Sequence, residues 1–150
     1  MALLLSTDLK NYIVNQGIIK QLAGTMGTGG TARLRIYNGS QPASADNGTN
    51  GTMLCEIINI GWGGTNGTIG ATSGTAAFGT AAGYTGTAAT SGTAVWARLE
   101  TIGTGYTGSA ATHRIDGEVG TAATSTFVIN STTITALGSV TILSMPISVG

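Results

Sequence analysis

Apolar and polar residues alternate with two different periods along the chain, and the change falls after a glycine-rich stretch. Before it, residues 6–23 carry apolar side chains at roughly helical spacing, which predicts one α-helix. Ser6 or Thr7 can cap its first N–H groups, and Gly24 is a natural end. Gly17 weakens the middle, so we expect this helix to depend on docking against another surface. Its apolar stripe consists of Leu9, Tyr12, Ile13, Ile19 and Ala23.

From residue 31 onward the period is two, which is typical of half-buried β-strands. In the first such stretch, Ala32, Leu34 and Ile36 face one way, opposite Arg33, Arg35 and Tyr37. In residues 93–101 the predicted core face carries Val95, Ala97 and Leu99, opposite Trp96, Arg98 and Glu100. Further strands are predicted at 53–60, 112–119, 125–130 and 139–149, with one or two short strands near 67–82.

Short strands separated by turn-forming segments predict an all-β fold, an antiparallel β-sandwich or jelly roll with one N-terminal α-helix. The pattern divides the chain into an N-terminal arm and helix (1–24), a glycine-rich joint (25–30) and a β-sandwich domain (31–150). Pro146 lacks an N–H for a sheet ladder, so we expect it on an edge strand or at a bulge.

Charge is scarce and balanced, which narrows the functional classes. Charged residues make up 8% of the chain, and 6 Lys and Arg match 6 Asp and Glu. A nucleic-acid partner is not expected, because no basic face is available to displace phosphate counterions. Zero net charge removes self-repulsion and favours association. The N-terminus resembles no signal peptide and no stretch reaches the length of a membrane span, so neither secretion nor a membrane partner is expected.

The sequence contains no convincing catalytic constellation. Cys55 is the single cysteine and is expected to be a small buried hydrophobe rather than a disulfide or zinc ligand. His113, the single histidine, points away from Asp116 on an alternating strand, and no serine lies in a nucleophile elbow. We therefore expect no enzyme activity, no cofactor and no metal.

Two of the carboxylates, Asp116 and Glu118, share a strand face, as acid–base chemistry requires. Arg114 lies on the same face, and Arg98 and Glu100 are predicted on a neighbouring strand. Cross-strand charge pairing explains this set without any reaction.

Five N-x-[ST] sequons begin at Asn38, Asn47, Asn50, Asn66 and Asn130. Glycine follows the first four, so turn formation explains them better than glycosylation does. Four aromatic residues stand among small residues, and each is a candidate for the core or for an interface. Core is favoured for Trp62 and Phe78, and both alternatives stay open for Tyr84 and Tyr106.

Five phrases follow one another in an order that resembles a family of small tailed-phage and prophage virion proteins. They are LSTDLKNYIVNQ, LRIYNGSQPASAD, TAVWARLE, IDGEVG and SVTILSMPISVG. The resemblance covers both ends of the chain and leaves residues 60–92 largely unmatched. It implies a virion setting assembled in the host cytoplasm, a β-sandwich body, an N-terminal helix and no active site.

Within that setting we expect a head decoration or cement protein that contacts the major capsid protein or other virion proteins. Such proteins bind at many equivalent sites, usually as trimers or other symmetric clusters. The arm and helix would dock through Leu9, Tyr12, Ile13 and Ile19, with Tyr84 and Tyr106 as further contacts. The alternatives are a tail, neck or fibre component, a carbohydrate-binding module with aromatic stacking platforms, and a self-assembling filament subunit.

Overall fold

The computed structural model describes residues 6, 9, 12, 13, 32–60, 75–77, 83–101 and 113–148, with the backbone alone at 75–77 and 148. The regular elements in this part of the chain are β-strands, which confirms the predicted all-β class. They are β1 (Ala32–Tyr37), β2 (Met53–Ile60), β3 (Thr75–Ala77), β4 (Thr85–Thr87), β5 (Gly92–Thr93), β6 (Trp96–Thr101), β7 (Arg114–Gly120), β8 (Phe127–Ile129), β9 (Thr133–Ile134), β10 (Ser139–Ser144) and β11 (Pro146–Ser148).

Seven of these strands form one sheet in the order β2-β1-β6-β7-β8-β10-β4. Its neighbours are antiparallel except for β7 and β8, which run parallel. The two ends of the sheet meet, because Cys55 of β2 bridges Ala88, the residue directly after β4. The N–H of Ala89 also donates to the carbonyl of Leu54 at 2.8 Å. The sheet is therefore nearly closed and barrel-like, and β11–β3 and β5–β9 form two additional short pairs.

The period-two pattern puts alternate residues of four adjacent strands inside and outside this sheet. One row across the strands packs into the core and consists of Ile57, Leu34, Leu99 and Ile115. The neighbouring row faces outward and consists of Glu56, Arg35, Arg98 and Asp116. Phe127, Ile129, Val140 and Ile142 complete the core from β8 and β10. Each fully buried side chain of this size contributes about 1.5–3 kcal/mol, so the alternation of β1, β2, β6 and β7 accounts for much of the fold.

The parallel pair β7–β8 is joined by a short loop, residues 121–126, that packs back onto β7. A Cβ atom on Gly117 would lie 2.4 Å from Cγ2 of Thr126, and one on Gly120 would lie 2.2 Å from Oγ of Ser125. Parallel neighbours usually need a crossover of about a dozen residues. Here the parallel pairing is limited to Val119 with Phe127 and Gly120 with Val128, so a short loop suffices, and the two glycines let it approach β7 closely.

The connection between β1 and β2, residues 38–52, is called the strap below because it runs back over the outward face. Asn38 and Thr52 close its base: Asn38 N–H donates to the Thr52 carbonyl at 3.1 Å, and Thr52 N–H donates to Asn38 Oδ1 at 2.6 Å. Farther along, the Ala45 carbonyl accepts a hydrogen bond from Arg114 at 3.2 Å. Arg114 is the first residue of β7, whereas the strap begins beside the other end of that strand. The strap therefore extends along the outward face and covers the rows of residues between these two points. This agrees with the predicted turn chemistry of the segment.

Three details of the predicted architecture are wrong. The two facing sheets of a sandwich are replaced by one sheet that curls around a single core. The strand predicted over 139–149 divides at the buried Met145 into β10 and β11, which belong to different sheets. Val95, the residue just before β6, is 45% exposed instead of buried, although its backbone hydrogen-bonds to Tyr37 and Val119. By contrast, Pro146 begins β11, whose one described partner is β3, and this agrees with the edge position expected for it.

The helix predicted over residues 6–23 lies almost wholly outside the described residues. Leu9 and Tyr12 have helical backbone geometry, but the few described positions do not establish a helix. Of the few positions described there, Ser6 Oγ accepts a hydrogen bond from Leu9 N–H at 3.3 Å.

Candidate interaction surface

The charged side chains of the described residues are confined to one half of the barrel-like sheet. Residues 57–97 and 119–150 contain no Asp, Glu, Lys or Arg. Strands β3, β4, β5, β8, β9, β10 and β11 fall entirely within those ranges. The charged side chains therefore belong to β1, β2, β6, β7 and the strap, and the opposite side of the sheet is uncharged.

On the charged side, two arginines of β1 bridge carboxylates from the strands that flank it. Arg33 Nε contacts Glu100 Oε1 at 2.8 Å, and Arg35 Nε contacts Glu56 Oε1 at 2.9 Å. The pairs are also crossed: Arg35 reaches Glu100 at 3.1 Å and Arg33 reaches Glu56 at 3.4 Å. A network of this kind holds three strands in register.

One ion pair is enclosed under the strap. Arg98 of β6 donates to both oxygens of Asp116 of β7, each at 2.7 Å. The hydrogen bond to Asp116 raises the pKa of Arg98. Next to it Trp96 stacks on Tyr37 with ring centroids 4.6 Å apart, and the Arg98 guanidinium lies 5.7 Å from the indole centroid. Charge, aromatic stacking and the strap thus form a second, polar layer outside the apolar core.

The predicted cross-strand pairing is confirmed for Arg98 and Asp116, whereas Glu100 pairs with the arginines of β1. Glu118 is exposed and stands opposite Trp96 in the ladder. His113 is exposed just before β7. Among the described residues, no three His, Cys, Asp or Glu side chains are grouped in a way that could hold a metal ion.

The uncharged side presents hydroxyl groups and apolar side chains to solvent. Thr85 of β4 and Thr141 of β10 face each other with their hydroxyl oxygens 3.2 Å apart. Ile58 of β2 and Leu143 of β10 are large, exposed apolar residues on the strands that flank β4. We call the surface made by Ile58 of β2, by β4 and β10 and by the turn before β10 the uncharged face.

The most exposed large apolar residue in the described part of the chain is Leu137, at 86%. It lies in the turn before β10 and has a φ of 67°, a left-handed backbone conformation that costs an L-residue about 1–2 kcal/mol. Hydrogen bonds hold it there: Leu137 N–H donates to the Ala88 carbonyl at 2.8 Å, and Ala88 N–H donates to the Gly138 carbonyl at 2.9 Å. A fixed backbone therefore presents a bare leucine to solvent.

The residues predicted for an interface are only partly described. Leu9 and Tyr12 are exposed and Ile13 is partly buried, whereas Ile19 and Tyr106 lie outside the described residues. Trp62 and Phe78 also lie outside them. Tyr84 is partly buried and packs against the core.

The exposed residues Ile58, Leu137 and Leu143 were missed from the sequence, although a signal existed for two of them. Ile57-Ile58 and Ile142-Leu143 are adjacent apolar pairs within strands. Because successive strand residues point to opposite faces, one member of each pair has to face outward. Leu137 carries no such signal, since nothing in its local sequence indicates a left-handed turn.

Comparison of the chain with protein-family models, with curated proteins and with solved structures finds no match. Within the described ranges, no helix has the length and apolar character needed to span a membrane.

Proposed function

We propose that this chain is a structural subunit of a bacteriophage particle, most specifically a decoration or cement protein of the head. The proposal joins the resemblance of both ends of the chain to virion proteins with the two-sided distribution of charge around the sheet. Its partners are the major capsid protein or other virion proteins, together with further copies of itself, with a trimer favoured.

The observation that carries the proposal is the uncharged face. Removing a charged side chain from water costs several kcal/mol unless it is paired well. A surface of threonine hydroxyls with Ile58, Leu137 and Leu143 imposes no such cost when another protein covers it. The charges of the other side are largely satisfied within the chain, through pairs such as Arg98–Asp116 and Arg33–Glu100. This arrangement suits a subunit that is held by protein contacts.

Many copies make a modest contact sufficient. Each copy bound at an equivalent site of a shell contributes little, but copies that also touch one another gain from their high effective concentration. In this proposal the arm and helix of residues 1–24 dock on the shell or on a neighbour, and the sheet domain extends the contact.

The first experiment is to image purified particles that carry this chain by cryo-electron microscopy and to count the copies. Hundreds of copies at the symmetry axes of the head support decoration. A ring of six or twelve copies at a vertex or along the tail replaces it by a connector or tail role. Density in a continuous filament without a capsid overturns the virion proposal.

A binding experiment then tests the uncharged face. Leu137→Asp adds a charge to an exposed turn, so the fold is retained while burial against a partner becomes unfavourable. We expect lower occupancy on particles stripped of the protein and reloaded with this variant. Glu118→Gln is the matched control, since it changes an exposed side chain on the charged side. Equal loss of occupancy in both variants contradicts a role for this face.

A further inference from the structure

Three Asn-Gly pairs lie in the strap, and they differ sharply in how firmly they are held. They are Asn38-Gly39, Asn47-Gly48 and Asn50-Gly51. Asn-Gly is the dipeptide in which an asparagine side chain most readily reacts with its own backbone, because glycine places no side chain in the way. The strap therefore contains three candidate sites of the same chemistry in one loop.

Asn38 is clamped. Its Oδ1 accepts the Thr52 N–H at 2.6 Å, and its own N–H donates to the Thr52 carbonyl at 3.1 Å. The side-chain carbonyl carbon reaches the nitrogen of Gly39 only if the side chain rotates, and that rotation breaks the first of these bonds. Asn38 is accordingly protected as long as the base of the strap is closed.

Asn50 is exposed, but the glycine that follows it is wedged in place. Gly51 has a φ of 84°, and a Cβ at this position would lie 1.9 Å from the carbonyl oxygen of Asn38. Its nitrogen turns toward the Asn50 side chain only if this packing is lost. The reacting nitrogen at this second site thus belongs to a closely packed turn.

Asn47 and Gly48 have neither restraint. Both are exposed, and a Cβ at Gly48 would have no atom within 4 Å. The one bond described for Asn47 is from its main-chain N–H to the Ser44 carbonyl at 3.0 Å, and its side chain is unrestrained among the described contacts. Of the three pairs, this one can adopt the reactive geometry without cost to the fold.

We propose that Asn47 is a site of spontaneous deamidation, selected by the structure from the three Asn-Gly pairs of the strap. The Gly48 nitrogen loses its proton and attacks Cγ of Asn47, so that an N–Cγ bond forms and the Cγ–Nδ2 bond breaks. Nδ2 leaves as ammonia and a five-membered succinimide remains. Water then opens the ring at either carbonyl, which yields aspartate or isoaspartate. One water is consumed, one ammonia is released and no oxidant is involved.

The product changes the charge balance of the molecule. The chain has a formal net charge of zero, so a new carboxylate at position 47 of the strap gives it an excess of negative charge. The new carboxylate is next to Asp46 in the chain, so the two negative charges repel each other. This modification does not depend on the proposed function, and it marks molecules by age, because each copy converts once.

The test is to incubate the folded protein in mildly alkaline buffer at physiological temperature. Peptide mapping by mass spectrometry locates the mass gain that replacement of an amide by a carboxyl produces. Because reaction at Asn38 requires the loss of at least one hydrogen bond, we expect Asn47 to convert about tenfold faster than Asn38. Asn50 should also lag behind Asn47. The same measurement in denaturant should bring the three rates together.

Gly48→Ala is the matched variant, because its new methyl group enters open space and the fold is retained. It should suppress conversion at Asn47 and leave the melting temperature unchanged. Conversion of Asn38 or Asn50 in the folded chain as fast as Asn47 overturns the proposal. An unchanged rate at Asn47 in the Gly48→Ala variant overturns it as well.

Discussion

Arg98 of β6 and Asp116 of β7 form a two-pronged ion pair in which 4% of each side chain is exposed. The pair lies on the outward face of the sheet, and yet it is shielded as fully as a core residue. The strap provides the cover, anchored beyond the pair by the bond between Ala45 and Arg114. If one partner is lost, the charge of the other is therefore neither paired nor solvated.

The first prediction follows from this enclosure. Asp116→Asn leaves the Arg98 guanidinium buried without its counter-charge, so we expect the free energy of unfolding to fall by about 3–5 kcal/mol. Chemical denaturation monitored by tryptophan fluorescence measures this loss. Glu118→Gln, two residues farther along β7 and exposed, should change stability by no more than about 0.5 kcal/mol.

A double variant separates the effect of the ion pair on stability from the separate effects of the two substitutions. Replacing both partners, as in Arg98→Met with Asp116→Leu, removes the buried charges together and should cost less than Asp116→Asn alone. Two single losses that simply add up in the double variant would show that the residues act independently, against the geometry described above.

The second prediction compares two residues that the sequence pattern assigned to the core. Leu34 is fully buried, so Leu34→Asp places an unpaired charge in the core and should prevent folding. Val95 is 45% exposed, so Val95→Asp should leave a folded protein with a similar melting temperature. Circular dichroism and a thermal melt of both variants decide the matter. Unfolding of both variants would mean that Val95 is buried in solution.

The different fates of Leu34 and Val95 show what the sequence could predict. An apolar–polar alternation identified β1, β6 and β7, because one face of these strands packs into the core and the other carries charged residues. It failed at Val95, which hydrogen-bonds to Tyr37 and Val119 and yet is 45% exposed just before β6. Strands β4, β5 and β9 were not predicted, since two or three residues of threonine, glycine and isoleucine carry no period.

The candidate surface shows a similar limit. The sequence shows directly that residues 57–97 and 119–150 contain no Asp, Glu, Lys or Arg. It does not show that these segments lie together, because closure of the sheet is what brings them to one half of the barrel-like sheet. The link between Cys55 and Ala88 joins residues whose pairing no local pattern indicates. The composition alone therefore did not locate the uncharged surface, because its place depends on long-range strand order.

The third prediction concerns pH. Burial raises the pKa of the Cys55 thiol, with a smaller contribution from the charge of Glu56. An unfolded thiol ionises with a pKa of about 8.5, so above that pH the unfolded state gains from ionisation before the folded state does. The contribution of Cys55 to stability is therefore complete below this pH and is lost as the pH rises through the folded value.

Denaturation curves across the alkaline range test this expectation. The free energy of unfolding should decline more steeply for the parent chain than for Cys55→Ala, in which the titrating group is absent. Thiol-alkylating reagents should also modify Cys55 only when the chain is unfolded, because the side chain is fully buried. Identical alkaline slopes in the two proteins would contradict the prediction.

The fourth prediction asks why a leucine occupies position 137. Its left-handed conformation is strained and its side chain is 86% exposed, so folding gains little from it. Asparagine tolerates this conformation, and Leu137→Asn should therefore raise the free energy of unfolding by up to about 1 kcal/mol. The matched control is Leu143→Asn, an exposed leucine with ordinary strand geometry, which should bring no gain.

If Leu137→Asn stabilises the isolated chain and weakens its attachment to particles, the leucine is retained for contact and not for folding. That outcome would place the anchor of the proposed assembly at the turn before β10. A loss of stability in Leu137→Asn would instead mean that the leucine packs against the chain itself in solution, and the uncharged face would lose its most exposed residue.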